Sequence, residues 1–408
     1  MVVVIGILMF MGLVLIHEMG HFITAKRSGV KVLEFGIGIP PKVCRIRTDK
    51  WGTEYTLNLI PLGWFVRLKG EDPNVQEDFH AKDSFIKAKI RKKIIILLAG
   101  VTSNIILAWV LFTIVFTAGT RPIVVASENS IQGRHESYLF PTKTFLYQQG
   151  YITDTIKKQI ESIPVIITNL EIEWIANTVG IHTGDRIISI NTINVNAWNI
   201  DSTLKEISWT MLTISIDRNG NVKEFTGNCG NKTCELGIAY SGIDISNMGI
   251  FKEQRIKFPL GKSMGIAAKE IVSETKSTFN ILGTLGASLV SFEKTRISKE
   301  LNKMTWPAWA IKIGWMLYAE WWRTFFIIFA AMISLALAIF NVLPIPALDW
   351  GRMLGVLIQW IGKLKPEKYF TIEWYINLIF FVLLMGLWIY ILLKDLSHFR
   401  AIKIPFIG

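Results

Sequence analysis

The chain has 408 residues, 51% of them hydrophobic, with a mean hydropathy of +0.38 and a net charge of +12 from 44 basic and 32 acidic residues. That oiliness excludes an ordinary soluble enzyme, and the basic excess is not a nucleic-acid surface, because it sits beside apolar runs. Four such runs, near 2–24, 94–118, 324–345 and 373–393, are long enough to cross a bilayer, which takes about 20 residues.

The first run predicts a spanning helix rather than a cleaved signal peptide, since no basic residue precedes it and "AKRSG" follows. Residues 25–93 carry 15 Lys/Arg against 8 Asp/Glu, and "KAKIRKK" (87–93) abuts the second run. The charge rule puts this stretch in the cytoplasm and the N-terminus outside. The polar stretch at 119–321 is then extracytoplasmic and large enough for a folded domain. The tail would end outside although it holds Lys394, Arg400 and Lys403, against the rule. The fold class expected is a polytopic α-helical membrane protein of about four spans, with an α+β insert. Its parts are an N-terminal membrane core (1–120), the insert (121–260), an amphipathic helical linker (261–320) and a C-terminal membrane core (321–408).

Between the first two spans, "KVCRIR" and "TEYTLNL" alternate as strands do, and "GIGIPP" and "PLGW" break them. A small β-sheet over 31–69, at or dipping into the cytoplasmic face, is expected; irregular backbone at membrane depth needs protein or a wet cavity beside it. In the insert, "DRIISIN" and "INV" precede a polar helix, and "LTISIDRNGNVKEF" reads as two strands joined at Asn-Gly, a strong hairpin signal. Cys229 and Cys234 lie five apart in the insert; free thiols or half a metal site are possible, and an oxidising compartment favours a disulfide loop.

The chemistry is concentrated in "LVLIHEMGHFITAK". His17 and His21, four residues apart, share one helix face, and Glu18 lies about 100° round from His17. Two imidazoles so spaced can hold zinc, and the carboxylate can reach a water on it. An unpaired Glu and two His inside an apolar span are too costly to be there by chance. Zinc hydrolases usually take three protein ligands. The third span ends "SLALAIFNVLPIPALDWGRM", where Asp349 follows two helix-breaking prolines and Asn341 is a further polar residue. On the topology above, the first and third spans run parallel. His17, about 23 Å down its helix at 1.5 Å per residue, and Asp349 both fall towards the cytoplasmic end.

"HEMGH" and "NVLPIPALDWG" resemble the site-2 proteases, zinc metalloproteases that cut within the membrane, and among them the bacterial regulator-of-sigma-E type. "FGIGIPP", "PLGWFV" and "AGVTSNIILA" (99–108) resemble further signatures of that group, and "IHTGDRIISIN" looks like a PDZ domain at about 165–245. The resemblance covers most of the chain in the expected order. It implies Zn2+ on His17, His21 and Asp349, with Glu18 as general base. It implies that Asn341, with Gly36, Gly38 and Gly63 in the 31–69 sheet and loop, holds an unwound substrate strand. The implied partners are the lipid bilayer and membrane proteins with a transmembrane segment, such as anti-sigma factors or remnant signal peptides. The PDZ-like part would bind peptide or act as a size filter, and the location would be the inner (plasma) membrane. The competing class is a membrane PDZ protein, catalytically impaired, that only binds peptides or partners.

Tryptophan departs from the resemblance. Trp64, Trp306, Trp309 and Trp350 stand where the family pattern has glycine, in a chain with 15 tryptophans. An indole at 350 is expected to crowd the zinc site or the substrate loop. One account is divergence; the other is a UGA codon, read as Trp, from a lineage that uses UGA for Gly.

Overall fold

The computed structural model describes residues 2–71, 75, 77–78, 81–123, 137–170, 179–206, 211–228, 238–240, 255–290 and 306–401. The contacts divide the chain into two compact units. One holds residues 1–117, 260–271 and 285–408, the other 118–259 and 272–284.

In the first unit, helix α1 (Val2–Ser28) runs through the His-Glu-His stretch and gathers Lys26 and Arg27 in its last turn. Strands β1 (Val32–Thr48) and β2 (Glu54–Leu68) follow, then helix α2 (Ile90–Ala118). The β-sheet expected over 31–69 is therefore present, and its register is more folded than a plain hairpin. Glu34, Phe35, Gly36 and Ile37 pair with Arg67, Val66, Phe65 and Trp64 on one side and with Glu54, Tyr55, Thr56 and Leu57 on the other. The first limb of β1 is thus an inner strand. The second limb pairs Lys42, Cys44 and Arg45 with Asn58, Leu57 and Thr56, and is exposed from residue 41 to 48. Gly38 and Gly63 take positive φ of 80° and 82°, which glycine adopts without a Cβ clash.

Three helical stretches, Ile5–Ser28, Ile90–Ala118 and Thr324–Asn341, are long and apolar enough to cross a membrane among the described residues. The last is the end of helix α7 (Trp306–Asn341). Helix α8 (Asp349–Ile361) follows the double-proline turn, and helix α9 (Pro366–Ala401) contains a shorter apolar stretch, Thr371–Gly386, inside the fourth expected span. A core of Ala25, Val30, Val32, Leu68, Ile96, Leu97, Met353 and Val356 joins α1, both strands, α2 and α8. The elements that carry the polar residues of interest are therefore packed on one another.

The second unit contains the short helices α3 (Lys143–Gln148) and α4 (Asp154–Glu161), the strands β3 (Val165–Leu170), β4 (Arg186–Ile190) and β5 (Ile193–Asn194), helix α5 (Ile200–Glu206), and strands β6 (Met211–Arg218), β7 (Asn221–Asn228) and β8 (Ile238–Tyr240). The sheet order is β7-β6-β4-β3-β8, with β5 on β4. Asn219 and Gly220 turn the β6–β7 hairpin with φ of 57° and 83°, the two left-handed positions that Asn-Gly predicts. Val165, Ile167, Ile187, Ile190, Ile214 and Ile216 from the strands and Ile200 from α5 close its core. Helix α6 (Leu260–Val290) lies in the linker expected to be helical. Cys229 and Cys234 lie outside the described residues.

Asp185, 2% exposed, receives two hydrogen bonds from Arg218, at 2.8 and 2.7 Å, and one from the His182 N–H at 2.7 Å. Burial alone would raise this carboxyl; the bonds from Arg218 and His182 outweigh it and hold the carboxyl below its usual range. A depressed folded-state pKa contributes stability that is fully present above the unfolded value, about 3.9, and is lost as pH falls through the folded value. Asp185→Asn should therefore cost this unit about 2 kcal/mol at neutral pH, and the cost should shrink below about pH 4. Thermal unfolding of the full chain against pH measures it; a pH-independent cost would refute the linkage.

Candidate metal centre

The α1–α2 crossing builds the site. Gly20 faces the Ala99 carbonyl, where a Cβ would come within 2.5 Å, and Ser103 on α2 donates to the Ile16 carbonyl at 3.1 Å. Gly100 faces the two imidazoles themselves. The small residues of "AGVTSN" let the two backbones approach, as small residues do between membrane helices. Asp349 opens α8, whose first turn rests on the double-proline loop; a Cβ on Gly351 would lie 2.1 Å from the Ile345 carbonyl oxygen.

The structure brings His17, His21 and Asp349 together. His17 Nε2 and His21 Nε2 are 3.2 Å apart, and Asp349 Oδ2 lies 3.1 and 3.3 Å from them. Both histidines are 8% exposed. A tetrahedral zinc with ligand bonds of about 2.0–2.1 Å needs donor–donor edges of about 3.3–3.4 Å, so this triangle has nearly the size of one face. The outer nitrogens are already used. His21 Nδ1 is 2.8 Å from the Ile96 carbonyl, so it carries the proton and Nε2 keeps its lone pair. His17 Nδ1 is 3.2 Å from the Asn104 amide, whose Oδ1 is buried without a partner. Turning that amide end for end lets Nδ1–H donate to Oδ1 and satisfies both. Asp349 Oδ2 likewise has no hydrogen-bond donor. Three lone pairs then converge on one point, which is repulsive without a cation and favourable with one. The residues fit a zinc ion.

Glu18, adjacent to His17, is half-buried, and β2 packs against α1. Asn341 closes α7 and is half-buried. Gly36 packs under Phe65, whose ring would be 2.2 Å from a Cβ, and the Asn58 amide donates to the Ile37 and Gly38 carbonyls. Two residues that support this region were not foreseen. Asn104 supports His17, and its backbone carbonyl accepts a hydrogen bond from the Ser334 hydroxyl on α7 at 2.9 Å. Arg352, one turn beyond Asp349, pairs with Glu71, which also accepts from the Leu68 N–H at 2.9 Å. A lone Asn four residues after Gly100 in an apolar helix was the available signal for the first. The second depends on a contact across 281 residues and left none.

The sequence profile described as Peptidase family M50 matches residues 5–384. The chain belongs to this peptidase family. Among similar proteins are the Regulator of sigma-E protease RseP of Escherichia coli, 27% identical over 92% of this chain and 94% of that one, and the Zinc metalloprotease RasP of Geobacillus kaustophilus, 27% identical over 96% and 97%. This M50 member is thus a metallopeptidase with membrane-spanning helices.

Trp350 packs against the core that holds Ala25, Val30 and Met353, while the three donor atoms lie within 3.3 Å of one another. Trp64 fits less well: it stacks obliquely on Phe35 with ring centroids 5.5 Å apart, and its buried Nε1–H has no acceptor. An orphaned buried donor costs about 1–3 kcal/mol, and glycine would remove it. The side chains of Trp306 and Trp309 lie outside the described set. The expectation is UGA at codons 64, 306, 309 and 350 of the gene, with UGG at other tryptophans and glycine in peptides of the native protein. UGG at those four codons ends the idea.

Proposed function

We propose that this chain is an intramembrane zinc endopeptidase that cuts transmembrane segments of other membrane proteins. The observation that carries the reading is the buried triangle of two Nε2 atoms and one carboxylate oxygen, with Glu18 next to it on an apolar helix. His17, His21 and Asp349 would be the ligands. When bound, zinc would act as a Lewis acid and lower the pKa of its water. Glu18 would take a proton from the attacking water and return it to the departing amine. Ile96 and Asn104 would hold the imidazoles in the tautomer that offers Nε2.

A helix cannot be cut until its backbone is opened, and an edge strand can replace the lost hydrogen bonds. The exposed limb at 41–48 offers such an edge, with Gly36, Gly38 and Gly63 in the same sheet; Asn341 would help hold the substrate backbone. Two relatives are named as regulators of sigma E; the substrates would be of the anti-sigma kind, with remnant signal peptides as the other class. The β3–β8 unit would be a PDZ-like domain that filters by size or binds peptide. The fourth span would be α9, and the plasma membrane the location.

Two measurements test the reading. Purified chain should carry about one zinc, lost in His17→Ala, and should cut a transmembrane substrate; a chain that holds no zinc and cuts none leaves only a binding protein. For topology, a membrane-impermeant thiol reagent should label a cysteine placed at Asn219 in intact cells and miss one at Asp78. The reverse pattern would overturn it.

A further inference from the structure

The third candidate ligand is held by a loop with an unusual backbone. Ala347, two residues before Asp349, sits at φ 76°, a left-handed conformation that costs an alanine free energy and a glycine none. The helix that Asp349 opens has no side-chain cap: its N-cap is Leu348. The loop has internal support from the Leu348 N–H to the Ile345 carbonyl, 3.2 Å, and from the close seat of Gly351 on Ile345. Neither contact explains why Ala347 stays left-handed. One side chain from another element does reach this residue. The Ala347 N–H donates to Oδ1 of Asn377 on α9 at 2.9 Å.

Asn377 is itself out of place. Between Glu373 and Lys394, α9 reads "WYINLIFFVLLMGLWIYILL", and Asn377 is the one residue there with an amide or a charge. A carboxamide in an apolar segment is unfavourable unless its polar atoms are used, and membrane helices use such residues as glue to neighbours. Here the carbonyl is spent on a backbone N–H, on a residue that must be held in a disfavoured region, two positions from a candidate ligand carboxylate.

We propose that Asn377 is a positioning residue for the metal centre: through the Ala347 N–H it fixes the loop that sets Asp349 against His17 and His21. This rests on the reading of those three residues as zinc ligands. Without Oδ1, Ala347 can relax towards ordinary negative φ. The start of α8 then turns, and Asp349 Oδ2 leaves the triangle while the two histidines, held by Ile96 and Asn104, remain. The defect therefore falls on one ligand of three, and it weakens the metal rather than abolishing its site.

The test uses the full chain in detergent. Zinc affinity is measured by competition with a chromophoric chelator, and the visible absorption of the cobalt-substituted chain reports the geometry at the metal. Asn377→Leu keeps the volume and removes the acceptor; Asn377→Asp keeps an acceptor at the same reach. Outer-layer partners of metal ligands are typically worth about 10- to 100-fold in affinity. Asn377→Leu should bind zinc about tenfold more weakly or worse and shift the cobalt spectrum. Asn377→Asp should stay within about threefold of wild type. Should Asn377→Leu not be isolable, Asn377→Ser, too short to reach, carries the same expectation. Wild-type affinity and an unchanged cobalt spectrum in the Leu or Ser variant overturn the proposal. A wild-type chain that holds no zinc, or a His17→Ala chain that holds it as tightly as wild type, removes the ligand assignment itself and the proposal with it.

Discussion

Glu18→Gln leaves a chain that still holds zinc and no longer cuts its substrate. Glutamine has the shape of glutamate and keeps one oxygen, so the packing of the sheet against α1 should stay. The three donor atoms are held by groups that the substitution does not touch: the Ile96 carbonyl, the Asn104 amide and the first turn of α8. The proton acceptor alone is lost. A positioned general base contributes about 10²–10⁴ in rate, so cleavage of a transmembrane substrate should fall by at least about 100-fold at unchanged metal content. Zinc content and single-turnover cleavage of the same preparation measure both halves. Turnover within tenfold of wild type would sink the role given to Glu18. Loss of zinc together with activity would show that Glu18 supports the site rather than the chemistry.

The parts of the fold that could be read from the sequence are those set by local rules. Asn219-Gly220 demanded a hairpin, and the eight-residue strands on either side pair as it requires. His17, Glu18 and His21 could be read because helical spacing is fixed and because burying them in an apolar run needs a reason. Asp349 was reachable as a polar residue after two prolines, though only the packing of α8 on α1 and α2 puts its oxygen 3.1 Å from His17. The folded-back register of β1 was not legible, since alternation fixes which face a residue takes and not which strand lies beside it. Asn104, Arg352 and Asn377 act across 87, 281 and 30 residues, and sequence spacing carries no information about such contacts. The resemblance marked Trp350 as a departure from glycine, and its seat against the core beside α8 was not legible in the sequence.

One methyl group at Gly100 should disable the centre. A Cβ there would lie 2.3 Å from His21 Nε2, 2.6 Å from His17 Cε1 and 2.7 Å from His17 Nε2, all closer than real Cβ contacts come. The helix backbone of α2 cannot simply withdraw, because Gly20 sits on the Ala99 carbonyl one residue earlier and Ser103 bonds to Ile16 one turn later. The imidazoles must therefore yield, and they are the two ligands from α1. Moving them strains the bonds to Ile96 and Asn104 and opens the triangle whose edges match a tetrahedral ion. A displacement of about 1 Å in a catalytic group can cost about 100-fold in rate, and two ligands move here. Gly100→Ala should lower zinc affinity by at least about 100-fold and cleavage by more. Gly12→Ala is the control: it lies on α1, a Cβ there meets nothing within 4 Å, and alanine is the better helix former, so zinc binding and cleavage should match wild type. Chelator competition and substrate cleavage on both variants decide it. A Gly100→Ala chain with wild-type zinc affinity would mean that α2 does not approach the histidines as closely as this structure has it.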